Sequence, residues 1–322
     1  MRHRFARYAW IVLGFNVVVI LWGALVRASK SGDGCGNNWP LCNGSVVPAA
    51  PRIATVIEFT HRLSTGLALI AVVAMAVWAF RAFAPGPVRR AAATSVFLIL
   101  TEALLGAGLV LLRYVGEDAS VGRAIYLSAH LINTLLMLGA IALTAQWAST
   151  EPTLRWTRDG AVPKLLGIAL AGALLVAVSG AIAALGDTLF PVTSLRAGWE
   201  ADFSSASHLF IRLRIWHPLI ATLVGIYTAG VALWIGRRAP ESRRMASAVV
   251  TLVALQLIAG VVNLTLLAPI WMQMIHLLFA DLLWIALVLF SAVALEPRLI
   301  EERSQPAYWP SVEGGTSPLI RK

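Results

Sequence analysis

Eight apolar stretches, each about twenty residues long and separated by shorter polar segments, dominate the 322-residue chain. They fall near 8–27, 58–83, 91–113, 122–147, 163–185, 212–236, 245–267 and 269–293. A helix rises about 1.5 Å per residue, so each stretch spans the roughly 30 Å hydrocarbon core of a bilayer. The pattern predicts an all-α membrane protein with eight transmembrane helices. The first stretch follows Arg2, Arg4 and Arg7 and runs into Arg27 without a small-residue cleavage site, so it reads as a retained helix. Long polar loops are expected at about 28–57 and 186–211. The turn before the last helix is only Ala268-Pro269.

The polar segment 149–162 divides the spans four and four. It predicts an N-terminal four-helix bundle over 1–148, a cytoplasmic linker, a C-terminal four-helix bundle over 163–295 and a charged, Pro-rich cytoplasmic tail over 296–322. The halves share landmarks. Helices 2 and 6 align through His61 and His217, and helices 4 and 8 through His130 and His276. Helices 3 and 7 share Glu102-Ala-Leu-Leu-Gly106 and Gln256-Leu-Ile-Ala-Gly260. Four spans per half insert both halves the same way round. The expected architecture is therefore two pseudo-symmetric bundles forming a parallel repeat about an axis along the membrane normal.

Composition agrees with a membrane setting: 58% of residues are hydrophobic and only 13% charged, against about a quarter charged in soluble domains. The 26 Lys and Arg outnumber the 16 acids, but this does not call for nucleic acid. Most of the basic residues fall on the N-terminal side of helix 1 and the segments sharing its face, notably Arg89–Arg90 and Arg237, Arg238, Arg243 and Arg244. The positive-inside rule then predicts a multi-pass protein of the plasma membrane with both termini cytoplasmic.

Histidines inside membrane spans are costly and usually functional. His61, His130, His217 and His276 each lie in the first turns of an even-numbered helix, so all four are expected in the outer half of the bilayer. Paired imidazoles across a bundle suit a large planar ligand such as haem. Zinc or copper fits less well, because no thiolate or carboxylate joins each pair to complete a small-ion shell. His3 and His208 sit in a tail and a loop end and are read as non-ligands.

Glu58 precedes His61 by one turn on the same helix face. It reads either as a general acid or base beside the histidine, or as an acid favoured by a helix N-terminus. The matching place before His217 is Arg214, so the N-terminal site is expected to react and the C-terminal site to hold a fixed cofactor. Arg62, Arg212 and Arg214 fit either ligand-carboxylate partners or snorkelling side chains. Cys35 and Cys42, the only cysteines, lie in the first outer loop, where a disulfide is expected. It serves as a staple or as a redox-active pair. Trp39, Trp199 and Trp271 fit an aromatic belt.

The eight spans, Gly34-Cys35 with Trp39-Pro40-Leu41-Cys42, Glu58-Phe-Thr-His61-Arg62 and the four histidines together resemble the haem A synthase family over about residues 8–293. That resemblance implies an oxidoreductase that converts the C8 methyl of haem O to a formyl group. Two successive hydroxylations give a geminal diol, which loses water. It implies a b-type haem on His217 and His276, the substrate haem iron at His61 and His130, and an essential Glu58. It also implies work alongside a haem O-producing prenyltransferase and cytochrome oxidase assembly factors, with an electron donor the sequence does not name. Some relatives carry a second cysteine pair in the later outer loop, and 186–211 has none. Two other readings fit four bundle histidines. One is a di-haem electron-transfer protein acting on quinol, which would need ligands at two depths. The other is a haem carrier or exporter, which needs no acid.

Overall fold

A computed structural model describes residues 1–49, 51–150 and 160–295. The tail 296–322 and most of the linker 149–162 lie outside them. Among the described residues the chain is helical, with α1 (Arg2–Ala28), α2 (Ile53–Ala82), α3 (Pro87–Leu111), α4 (Val121–Thr150) and α5 (Ala161–Leu189). There follow α6 (Leu195–Phe203), α7 (Leu209–Arg214), α8 (Trp216–Arg238), α9 (Arg243–Thr265) and α10 (Ile270–Leu295). Eight spans are long and apolar enough to cross a membrane, α7 and α8 together forming the sixth, over Leu209–Arg238. Most begin or end a few residues beyond the apolar runs, because a helix continues into the interfacial layer after hydrophobic periodicity has faded.

The sixth span breaks at Ile215. Pro218 explains the break: it has no N–H to give the carbonyl of Arg214, and its ring crowds that carbonyl. The irregularity therefore falls beside His217. Helix α6 was not expected; its Ser194 hydroxyl caps it by accepting the Ala197 N–H. At the histidine-bearing end of the molecule, α1, α3 and α9 finish on residues of positive φ: Lys30 (55°), Arg113 (62°) and Leu267 (60°). In each, the next N–H reaches back to satisfy a carbonyl of the last turn: Ser31 to Val26, Tyr114 to Leu109 and Ala268 to Asn263.

Helix α1 packs on α2 and α4, and α3 closes the ring between α2 and α4. In the second half, α5 packs on α8, α8 on α9, α9 on α10 and α10 back on α5. Two four-membered rings are compatible with a four-plus-four repeat. They meet where α4 lies against α5 and α10, and α1 against α10. The Trp284 indole N–H donates to the Leu135 carbonyl across this seam. At the histidine end, the Arg27 guanidinium donates to the Ala184 carbonyl, the Thr188 hydroxyl and Gln273 Oε1, tying α1 to α5 and α10.

The fully buried side chains concentrate in the opposite half of each bundle. Phe5, Val12, Val72, Met75, Leu138 and Ile141 form one core; Leu166, Val249, Leu287 and Phe290 anchor the other. Dense apolar packing thus fixes the helices at one end, while the histidine-bearing end carries half-buried side chains.

Candidate functional site: four histidines at one end of the bundle

The four histidines lie about 9–14 Å along the axis from the first residue of their spans, at about 1.5 Å per residue. All four are half-buried. Each sits against a glycine of a neighbouring helix. A Cβ on Gly23 of α1 would lie 2.8 Å from His61 Cε1, and one on Gly180 of α5 would lie 2.9 Å from His217 Cε1. A Cβ on Gly106 of α3 would stand 3.8 Å from His130 Cε1, and one on Gly260 of α9 would stand 3.3 Å from His276 Cε1. At Gly23 and Gly180 a methyl group would push on the imidazole, so glycine there lets the ring keep its place.

The rings of His217 and His276 lie edge to face, with centroids 6.4 Å apart and planes at 89°. Two metal–imidazole bonds of about 2 Å, plus about 1 Å from each nitrogen to its ring centre, total roughly 6 Å. The spacing matches two imidazoles sharing one iron. His217 Nδ1 lies 3.0 Å from the Ser179 hydroxyl, a contact that fixes the ring and leaves its other nitrogen for a metal. His61 and His276 each keep a buried Nδ1 without a hydrogen-bond partner among the described residues, and the Nδ1 of His130 meets only the Glu102 carboxylate, 3.3 Å away. A planar metal ligand between imidazoles fits this donor set.

The N-terminal pair differs in its surroundings. Glu58, Arg62 and the cysteine loop form one buried cluster beside it. Cys35 and Cys42 form a disulfide, both nearly inaccessible. Glu58 Oε2 accepts the Cys35 N–H at 2.8 Å, and Oε1 accepts two N–H groups of Arg62. Arg62 also donates to the carbonyls of Asn38 and Leu41. Gly34 lets the loop lie on the start of α2: a Cβ there would meet Ala54 backbone atoms at 2.5 Å. The cysteine loop and the Glu58–Arg62 turn, separate in the sequence, are thus a single structure.

Arg214 occupies a comparable cluster in the second half. Its guanidinium donates to Asp202 at 2.6 Å, Asp187 at 3.0 Å and the Gly198 carbonyl, pinning α6 beneath the loop. Both arginines are therefore engaged by protein acceptors. Arg212 is exposed. His208 caps α7, accepting the Phe210 N–H through Nδ1.

Sequence reasoning missed one polar contact. Glu102 of α3 lies 3.3 Å from His130 Nδ1. Its carboxylate also accepts Asn133 Nδ2–H at 2.6 Å and contacts the Thr134 hydroxyl. The signal lies in the sequence, where Glu102 stands opposite Gln256 in the shared helix-3 and helix-7 pattern, a carboxylate against an amide. Asp281 was also missed; it is fully buried in α10, and neither of its oxygens finds a partner among the described residues.

These features define an eight-span membrane protein carrying four histidines at matched depth beneath structured loops, two of them with adjoining rings. The chain belongs to the cytochrome oxidase assembly protein family, whose model matches residues 6–288. It is 46% identical over 296 residues to a Thermus thermophilus protein named protoheme IX farnesyltransferase, covering 91% of this chain and 49% of the relative. It is 47% identical over 95 residues to the heme A synthase of Shouchella clausii, or 29% of this chain and 32% of that protein. With the heme A synthase of Exiguobacterium sibiricum it shares 26% identity over 230 residues, covering 71% and 74% of the two chains. The chain spans about half the length of the Thermus relatives it matches.

Proposed function

We propose that the protein is a haem A synthase, an oxidoreductase that takes haem O as substrate and converts its C8 methyl group to a formyl group. The observation that carries this reading is the pairing of four intramembrane histidines, with His217 and His276 at a spacing suited to one shared iron. Family membership and the heme A synthase relatives support it. Two hydroxylations, each consuming one dioxygen and two electrons from an external reductant and releasing one water, oxidise the methyl carbon to a geminal diol, which loses water.

We assign residues 1–148 to a substrate bundle and 163–295 to a cofactor bundle, related as a parallel repeat. His217 and His276 would hold a b-type haem, which when bound supplies one-electron redox chemistry. His61 and His130 would hold the iron of haem O. Glu58 lies one turn before His61, and the disulfide loop fixes its position by presenting the Cys35 N–H to it. A carboxylate there receives or donates a proton at the reacting edge of the substrate. Arg62 and Arg214 serve first to hold the loops over the two pairs. The basic segments support cytoplasmic termini and plasma-membrane placement, with both sites in the outer leaflet.

The Thermus name raises a second reading, prenyl transfer. That name describes a protein of about twice the matched length, whereas a heme A synthase relative is covered over 74% of its own length. We assign prenyl transfer to a partner that hands haem O to this chain.

Haem extraction from the purified protein tests the reading. A b-type haem together with haem O or haem A is expected. His217→Ala should abolish the low-spin spectrum of the b-type haem. Two b-type haems per chain, without haem O or haem A, would favour a quinol-linked electron-transfer protein instead.

A further inference from the structure

The two histidine pairs look alike until the second side chain behind each ligand is considered. On α3, Glu102 and Gly106 are four residues apart and share a helix face; on α9, Gln256 and Gly260 do the same. Both glycines pack against the histidine of the following span. Matching helix positions therefore present a carboxylate to Nδ1 of His130 and a neutral amide to Nε2 of His276.

We propose that Glu102 is a positioning residue that makes the two sites unequal: it holds His130 through Nδ1, leaves Nε2 for iron and places a negative charge behind that ligand. This rests on the assignment of His130 to a haem iron. The orientation of the carboxylate is fixed from several sides. Asn133 Oδ1 accepts the Thr101 hydroxyl at 2.7 Å, and its Nδ2 donates to the Leu98 carbonyl at 2.9 Å. The Asn133 amide is thereby locked with its N–H toward Glu102 Oε2, so that oxygen acts as an acceptor. Thr134, one turn after His130, closes on the other oxygen. The contact from His130 Nδ1 at 3.3 Å completes a ring of groups around one carboxylate.

Gln256 has no such role. Its Nε2 lies 3.3 Å from His276 Nε2, and its Oε1 has no partner among the described residues. A histidine ligand backed by a carboxylate is a stronger donor and favours the oxidised metal; one backed by an amide does so less. The N-terminal iron is thus set to the lower reduction potential of the two.

The test is a redox titration of the purified full-length protein loaded with haem b as the probe, with the two haems resolved spectroscopically. Glu102→Gln should raise the midpoint potential of the N-terminal haem and leave the C-terminal one in place. It should also weaken haem retention at that pair about 10- to 100-fold. Glu102→Asp should restore part of the shift. The reciprocal Gln256→Glu should lower the potential of the C-terminal haem, and it decides the matter if Glu102→Gln does not fold. An unmoved potential in either folded variant, or an equal shift of both haems, overturns the proposal alone. Failure of the unaltered protein to bind haem at His61 and His130 overturns the functional reading and this inference with it.

Discussion

Glu58 carries a structural load as well as the chemical one assigned to it. Its two oxygens take a loop N–H and an arginine fork in a buried setting. A glutamine offers one acceptor where the carboxylate offers two, so Glu58→Gln leaves one donor facing an amide N–H. An unsatisfied buried donor costs about 1–3 kcal/mol, enough to loosen the cysteine loop without unfolding eight packed helices. The expected outcome in cells is that the b-type haem stays bound while haem O conversion stops or stalls at the hydroxylated intermediate. Chromatography of extracted haems reads this, and a normal haem A yield returns Glu58 to a purely structural role. Sequence exposed Glu58, because an acid one turn from an intramembrane histidine is conspicuous. It did not expose the Arg62 and Cys35 contacts, since their geometry depends on how a long loop folds back.

Among the elements, the histidine-bearing helices were legible and their partners were not. Apolar length gave the spans, and the repeated histidines gave the register between halves. The glycines facing those histidines looked like ordinary membrane-helix glycines, which small-residue packing already explains. Only the helix neighbours reveal that Gly23 and Gly180 make room for a ring. The kink beside His217 was readable from Pro218, whereas α6 was not, being a short interfacial helix inside a loop. A pair of alanine substitutions tests the packing claim on one helix. Gly180→Ala puts a methyl 2.9 Å from His217 Cε1 and should displace the ring, with loss of the low-spin b-type spectrum. Gly167→Ala, which meets nothing within 4 Å, should leave that spectrum unchanged. Equal spectra in both variants would contradict the role given to Gly180.

For the whole molecule, the division of labour runs along the membrane normal. Close-packed cores hold the helices at one end, and polar clusters built on Glu58, Glu102, Arg27 and Arg214 organise the other. Hydropathy foretold the span number but not this partition, which emerges only when buried side chains are mapped along each helix. The four histidines lie at the looser end, at equal depth and in unequal surroundings, and the proposed split into a cofactor site and a substrate site rests on that difference. The most direct measurement supplies purified protein, reconstituted in lipid, with haem O, reductant and dioxygen, and separates the products by chromatography with mass detection. The account predicts conversion of the methyl group to a formyl group through a hydroxylated intermediate. Recovery of unchanged haem O from protein that retains its b-type haem would contradict it.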